Sequence, residues 1–253
     1  MNISAIVLSK NNEATIQKTL ESLKTFLDVV VYDNGSTDNT LEIVKTFSNV
    51  NLIQGEFKGF GWTKNEAVKH AKNDWVIIID SDEVIDQELL ETLQNMTFDK
   101  RTVYQLNFKA FYKNTQVKYC GWNNQKIKRL YNRTVTSYNQ NDVHENIIVD
   151  KLKIELLKGN VEHYSYQSIE QFIQKANTYS TLFAKNNAKK KKSSPLKAFF
   201  NGWYSFFKTY ILKQGFRDGY IGLIIAFSHM ATNFYKYIKL YELNKEQNSE
   251  TKQ

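Results

Sequence analysis

The sequence predicts an α/β fold with a largely parallel central sheet, followed by a C-terminal amphipathic helical tail. Three observations carry that expectation. Short β-branched runs alternate with segments of helical spacing from residue 3 to residue 80. Polar and acidic clusters follow three of those runs, where a parallel sheet presents the carboxyl ends of its strands. The net positive charge is also confined: residues 189–253 hold 12 Lys/Arg against 4 Asp/Glu, which equals the whole-chain excess of +8.

Taken in order, "ISAIVLS" (3–9) is an apolar run of strand length, and "EATIQKTLESLKTF" (13–26) sets Ile16, Leu20, Leu23 and Phe26 at helical spacing. "VVVYD" (29–33) reads as a strand. "NTLEIVKTF" (39–47) returns to the helical period behind a capping-box-like Asn39 and Glu42. "VNLIQ" (50–54), "TKNEAVKHAKN" (63–73) and "WVIII" (75–79) continue as strand, helix and strand. Past residue 100, "VYQLNFKAFYK" (103–113) and "KIKRLYN" (126–132) are strands with no helix between them. A Ser168/Gln171 capping box then opens a helix over 168–187. Apolar residues make up 42% of the 253, enough for a sizeable core. The lone Cys120 excludes an internal disulfide framework and reads as a small hydrophobe. "MNISAIVLSKNNE" lacks a basic segment followed by a long apolar run, so no secretory signal is expected.

The three strand-end clusters are "SKNN", "DNGSTD" and "DSDE". The last is the most demanding, because a buried strand delivers Asp80, Asp82 and Glu83 into one small volume. Like-charge repulsion there calls for a cation or a held phosphate partner. The plainer reading is a strand that ends in a solvated acidic turn. Asp80-Ser81-Asp82 is an Asp-x-Asp, whose hard oxygens suit Mg²⁺ or Mn²⁺ beside a diphosphate. "DNGSTDNT" offers Asp33 to a ribose or a base N–H, or else forms an ordinary Asx turn and helix cap.

These stretches, together with "GFGWTKNEAVKHAKNDWVIIIDSDE" and "DVHENI", resemble the family-2 glycosyltransferases of the nucleotide-diphospho-sugar transferase (GT-A) fold, in order and in spacing. "KIKRLYNR", "VEHYSY", "QFIQKANTYSTLFA" and "GFRDGYIGLIIAFSHM" resemble the branch that adds β-glucose to the inner core of lipopolysaccharide. The resemblance covers roughly residues 3–243. It implies a GT-A domain over 1–188; the residues themselves add a basic linker at 189–195, an amphipathic membrane-associating region at 196–243 and a disordered end at 244–253. It implies nucleotide contacts for Ser9, Asn11 and Asp33, a pyrophosphate contact for Lys64, and a place near the ribose or the metal for Asp80. Asp82 becomes the direct ligand of Mg²⁺ or Mn²⁺, with His163 as a further ligand or a satisfied core histidine. Glu145 falls where the family carries its catalytic carboxylate. Many members have Glu-Asp there, whereas this chain has His144-Glu145; Asp142 is the second candidate, and His144 is either part of the catalytic group or structural. The implied reaction is inverting transfer from a UDP-sugar, with glucose the expected sugar, to a lipid-linked saccharide.

The tail supplies the rest. "KKKKSSP" (189–195) holds four lysines and the only proline, and reads as a hinge or linker. Phe199, Phe200, Trp203, Phe206, Phe207, Tyr210 and Ile211 form a helical stripe beyond it. The uncharged run Gly219–Tyr235 is marginal for a membrane span. Aromatics flanked by lysines suit a helix lying on an anionic membrane surface through residues 189–243, at the cytoplasmic face of a bacterial inner membrane. No nucleic-acid motif accompanies the charge. Packing residues remain the alternative for Trp62, Trp122 and the tail aromatics. Two other functions compete: a Mg²⁺-dependent phosphohydrolase, and a membrane-bound nucleotide-sugar binder without turnover.

Overall fold

The computed structural model describes residues 1–140 and 145–250, with side chains to residue 246. The chain forms two compact units, one of residues 1–109 with 124–164, the other of 110–123 with 165 onward. The first unit is built on β1 (Ile3–Ser9), α1 (Ile16–Ser22), β2 (Asp28–Asp33), α2 (Thr40–Lys45), β3 (Val50–Gln54), α3 (Phe60–Val68) and β4 (Trp75–Asp80). Then follow β5 (Glu83–Ile85), α4 (Gln87–Asn95), β6 (Thr102–Tyr112), β7 (Thr115–Val117), β8 (Gln125–Asn132) and β9 (Lys153–Tyr166). β6 and β9 continue into the second unit, which holds β7 and three helices, α5 (Ile169–Asn187), α6 (Pro195–Phe207) and α7 (Gly219–Glu250).

The sheet order is β3-β2-β1-β4-β8-β6-β9-β5, with β7 on β6. β1 to β4 are parallel, while the β4–β8, β8–β6, β6–β7 and β5–β9 pairs are antiparallel, so the sheet is mixed. The parallel half explains the continuous apolar runs. Ile3, Ala5, Val7, Ile77 and Ile79 face one core, and Ile6, Leu8, Val76 and Ile78 face the other. Strands buried on both faces need no polar alternation.

Local differences from the sequence reading have local causes. α3 starts three residues early, behind Gly59 at φ 92°, and α1 stops at Ser22. Asn39 precedes α2 without a side-chain cap; Glu13 instead accepts from its backbone N–H and its amide. At α5 the Ser168 hydroxyl does accept from Gln171 N. α4 is capped by Asp86, whose Oδ1 accepts from both Leu89 N and Asn160 N at 2.9 Å. Beside it Gly159 sits at φ +90°, and a Cβ there would lie 2.1 Å from Leu89 N. Gly159→Ala is therefore expected to lower the urea midpoint by more than Asp86→Ala, whose lost cap is worth about 1 kcal/mol. Equal midpoints for the two variants would contradict the close approach.

In the second unit Ala110, Tyr112, Val117, Cys120, Phe172, Ile221 and Ile225 form a separate core. Trp122 stacks there on Tyr166 and Phe172, with centroids 5.4 and 6.0 Å away, which makes it a packing residue. Cys120 is buried, and that burial pushes its thiol up to about 12. Pro195 is the first residue of α6, behind the capping hydroxyl of Ser194, one residue ahead of the helical stripe expected from 196. The helix at 169–187 groups with the C-terminal helices, and α7 runs to Glu250 through the segment expected to be disordered. α6 buries its small residues, Ala198 and Gly202, where a Cβ on Gly202 would stand 3.2 Å from Met230 O. Its aromatic side faces out: Phe200 is 64% and Trp203 52% exposed. Among the described residues no helix is long and apolar enough to cross a membrane.

Candidate active site

Parallel register brings the strand ends level. Ser9 pairs with Asp33 across β1–β2, and Leu8 pairs with Asp80 across β1–β4. At the β2 end, Asp33 is buried and occupied by its own turn. Its Oδ1 accepts from Gly35 N and Ser36 N at 2.9 Å, and its Oδ2 accepts from the Ser36 hydroxyl. That is the Asx-turn arrangement, which shapes the loop following β2. Gly35, at φ 85°, lets the loop turn. Asn11, itself at φ 53°, clamps the same loop, taking Thr37 N on its Oδ1 at 2.8 Å and giving its N–H to the Ser36 hydroxyl at 2.9 Å. Ser9 differs from both. Its hydroxyl is buried with no hydrogen-bond partner among the described residues, an orphaned polar atom that calls for a ligand or a water.

β4 ends as anticipated, with Val76–Ile79 buried and the carboxylates following at once. Their charge is balanced from within the fold. The Arg129 Nη2 donates to Asp80 Oδ2 at 2.8 Å and to Glu83 Oε1 at 2.6 Å, and Glu83 Oε2 takes Asp80 N at 2.8 Å. β8 runs antiparallel to β4 with Leu130 opposite Ile77, so Arg129 lies toward the Asp80 end. Burial would raise the Asp80 carboxyl, but Arg129, then Lys64 and His163, hold it well below the ordinary range. Glu83 moves the other way. Burial pushes it up and the Asp80 charge adds to this, against the pull of Arg129. One guanidinium between two carboxyls favours the charged form of Asp80, whose side chain is 36% exposed, over that of Glu83 at 1%.

Asp82 lies beside Glu83, on the side of β9. Its carbonyl accepts from Tyr164 N at 2.8 Å, and the β5–β9 register places His163 opposite Glu83. His163 Nε2 then stands 3.3 Å from Asp82 Oδ2. Burial alone would lower the imidazole, yet the hydrogen bond and charge of Asp82, with Glu83 and Asp80 behind it, raise it. Asp82, Glu83 and His163 bring one ligand atom each within 4.8 Å of one another, a mixed oxygen and nitrogen set that fits a divalent ion. Both Glu83 oxygens are already engaged, so half-exposed Asp82 and His163 are the open members. Asp80, expected near the ribose or the metal, accepts from Arg129 on its Oδ2 and is not part of that cluster.

On α3, Lys64 is buried and its Nζ reaches Glu145 Oε1 at 2.6 Å, with the Tyr138 ring 5.0 Å away. Tyr138 in turn feels Arg129, Asp80, Glu145 and Glu83, and its burial raises the phenol. Glu145, Lys64, Asp80, Arg129, Glu83, His163 and Asp82 thus form one connected electrostatic group. Asp142 and His144 lie outside the described residues. Trp62, half-buried, carries Lys58 over its ring at 5.1 Å. Arg129 and the part played by Glu83 escaped the sequence reading; an arginine among the buried positions closing "KIKRLYN" was the available signal, since such a residue needs an acid partner.

The family model for glycosyl transferase family 2 matches residues 4–152. An uncharacterized glycosyltransferase of Rickettsia typhi is 32% identical over 256 residues, covering 96% of this chain and 87% of that protein. The lipopolysaccharide core biosynthesis glycosyltransferase LpsC of Rhizobium meliloti is 25% identical over 251 residues, covering 95% and 92%. Among solved structures, Staphylococcus aureus TarS 1–349 in complex with UDP aligns over 99% of this chain and 92% of that one, at 16% identity and a TM-score of 0.47. With a matching model over more than half its length and a relative of that identity along nearly all of it, the chain belongs to glycosyl transferase family 2.

Proposed function

We propose that the chain is an inverting, metal-dependent glycosyltransferase. In this reading it moves a sugar, glucose in the first instance, from a UDP-sugar to a hydroxyl of a lipid-linked saccharide such as the inner core of lipopolysaccharide. The observation that carries the reading is the Lys64–Glu145 contact of 2.6 Å within the same charged group as Asp80 and Asp82. A carboxylate base and a diphosphate-binding cation are the two functions such a transfer needs, and here they touch.

Glu145 takes the acceptor proton as the hydroxyl oxygen attacks the anomeric carbon, from the face opposite the nucleotide. The bond to the diphosphate breaks as the new bond forms, which inverts the centre. Lys64 sits where its cation offsets charge on the departing diphosphate. The unpartnered Ser9 hydroxyl is free to meet the nucleotide, and Asp33 and Asn11 act by fixing the loop beside it. Asp82 and His163, backed by Glu83, would hold Mg²⁺ or Mn²⁺, which when bound supplies further charge for the diphosphate.

The name of LpsC supports a saccharide acceptor of the lipopolysaccharide core. The outward aromatics of α6 and the lysines of 189–192 support attachment to the cytoplasmic face of a membrane. The test combines UDP-glucose, Mn²⁺ or Mg²⁺ and a truncated core oligosaccharide. UDP release with a lengthened acceptor is expected, lost on chelation and in Asp82→Ala. Normal turnover in Asp82→Ala would remove that residue from the metal site. Phosphate release without sugar transfer would mark a phosphohydrolase, and binding without turnover a sensor.

A further inference from the structure

We infer that the second unit binds a single anionic phospholipid, with one acyl chain in the groove between α5 and α7 and the phosphate held by lysines at one end of that groove. The inference rests on the membrane reading above and goes beyond it, because half of the groove comes from α5, outside the basic tail.

The groove has a volume of about 730 Å³, within the range of small-molecule sites. Its walls are apolar, from Ile169 and Ile173 on α5 and Leu223, Phe227 and Met230 on α7. Ile173 is 66% exposed, so these side chains meet water in the isolated chain. Exposed apolar surface of this kind marks an interaction site.

Charge identifies the occupant. Lys239 lines the groove, and its Nζ donates to Asn177 Oδ1 at 2.7 Å, Ser180 Oγ at 2.9 Å and Thr181 Oγ1 at 2.8 Å, all neutral acceptors. Near Phe183 of α5 and Tyr237 of α7, Lys236 of α7 and Lys191 of the α5–α6 connection each stand 5.6 Å from the Phe183 ring, and Lys197 of α6 stands 5.3 Å from that of Tyr237. Those rings pack edge to face at 5.5 Å. Among the described residues none of these four lysines lies within ion-pair distance of a carboxylate. Burial lowers Lys236, as expected for a cation short of a counter-charge. An apolar slot ending in unpaired cations is complementary to an acyl chain ending in a phosphate. A second copy fits less well, because a two-fold contact centred here sets the lysines against their own images.

The experiment uses the full chain and a monomeric probe, myristoyl-lysophosphatidylglycerol below its critical micelle concentration, followed by titration calorimetry. Saturable one-to-one binding is expected, weaker by about tenfold for the phosphatidylcholine analogue. Ile173→Asp with Leu223→Asp should weaken binding by about tenfold or more, and Lys236→Gln with Lys239→Gln should erase the headgroup preference. Ile173 and Leu223 are exposed, so the first pair is compatible with folding, which thermal melts check. Absence of saturable binding overturns the inference, as does equal affinity in the groove variant. A dimer that Ile173→Asp dissociates would also overturn it, by assigning the groove to a second copy. Sedimentation with phosphatidylglycerol vesicles, for the native chain and Phe200→Ser with Trp203→Ser, reads surface attachment separately. If vesicles bind and the monomeric lipid does not, the groove assignment falls and the membrane reading stands.

Discussion

Glu145→Gln is expected to reduce sugar transfer by about 10²–10⁴-fold, the range typical of a lost general base. Donor affinity should be no weaker. The substitution is nearly isosteric, and the amide oxygen still accepts from the Lys64 Nζ now 2.6 Å from the carboxylate. What disappears is the capacity to take a proton. The loss should therefore fall on kcat, with KM for the UDP-sugar little changed and the acidic limb of the pH–rate profile gone. Asp142→Asn measured alongside separates the two candidate bases. A Glu145→Gln enzyme of normal turnover beside a dead Asp142→Asn would transfer the role to Asp142.

Arg129→Met should destabilise the first unit by about 3–5 kcal/mol, because it strands two carboxyl groups that one buried guanidinium now serves. Glu83 is almost fully enclosed and its Oε1 lies 2.6 Å from the arginine. The urea midpoint should fall with an unchanged m-value. Arg129→Lys should recover only part of the loss, since a single ammonium does not reproduce the planar fork between Asp80 and Glu83. Adding Asp80→Asn to Arg129→Met should restore part of it by removing the carboxylate that the guanidinium keeps charged, a non-additivity that a double-mutant cycle reads directly. Full additivity of the two changes would show that the contact between them carries little. Transfer should fail in Arg129→Met even where the protein is folded, as Asp80 loses the partner that fixes its position.

The parallel half of the fold was legible because each strand is buried on both faces and writes an unbroken apolar run, "ISAIVLS" or "WVIII". Of the antiparallel half only β6 and β8 were legible, and those only as strands; β5, β7 and β9 were not read. Its register, which sets His163 opposite Glu83 and carries Arg129 toward Asp80, depends on pairings between segments far apart in sequence, and no local pattern encodes them. The same distance hid the counter-charge of the acidic cluster. The repulsion implied by "DSDE" pointed to a cation or a held phosphate partner; the structure sets the Arg129 guanidinium of β8 against Asp80 and Glu83, and the His163 imidazole of β9 beside Asp82. Short-range detail failed where tertiary contacts prevailed. Asn39 binds Glu13 from the loop after β1 and does not close its own cap.

In the proposed reaction the contact between Lys64 and Glu145 also dictates a sequence of events. While the lysine has only the carboxylate to neutralise, the base is tethered to it at 2.6 Å and not turned to an acceptor hydroxyl. Diphosphate oxygens arriving beside the lysine compete for it and loosen the tether. The sugar nucleotide must then come before the acceptor, and an enzyme waiting without its donor is a quiescent one.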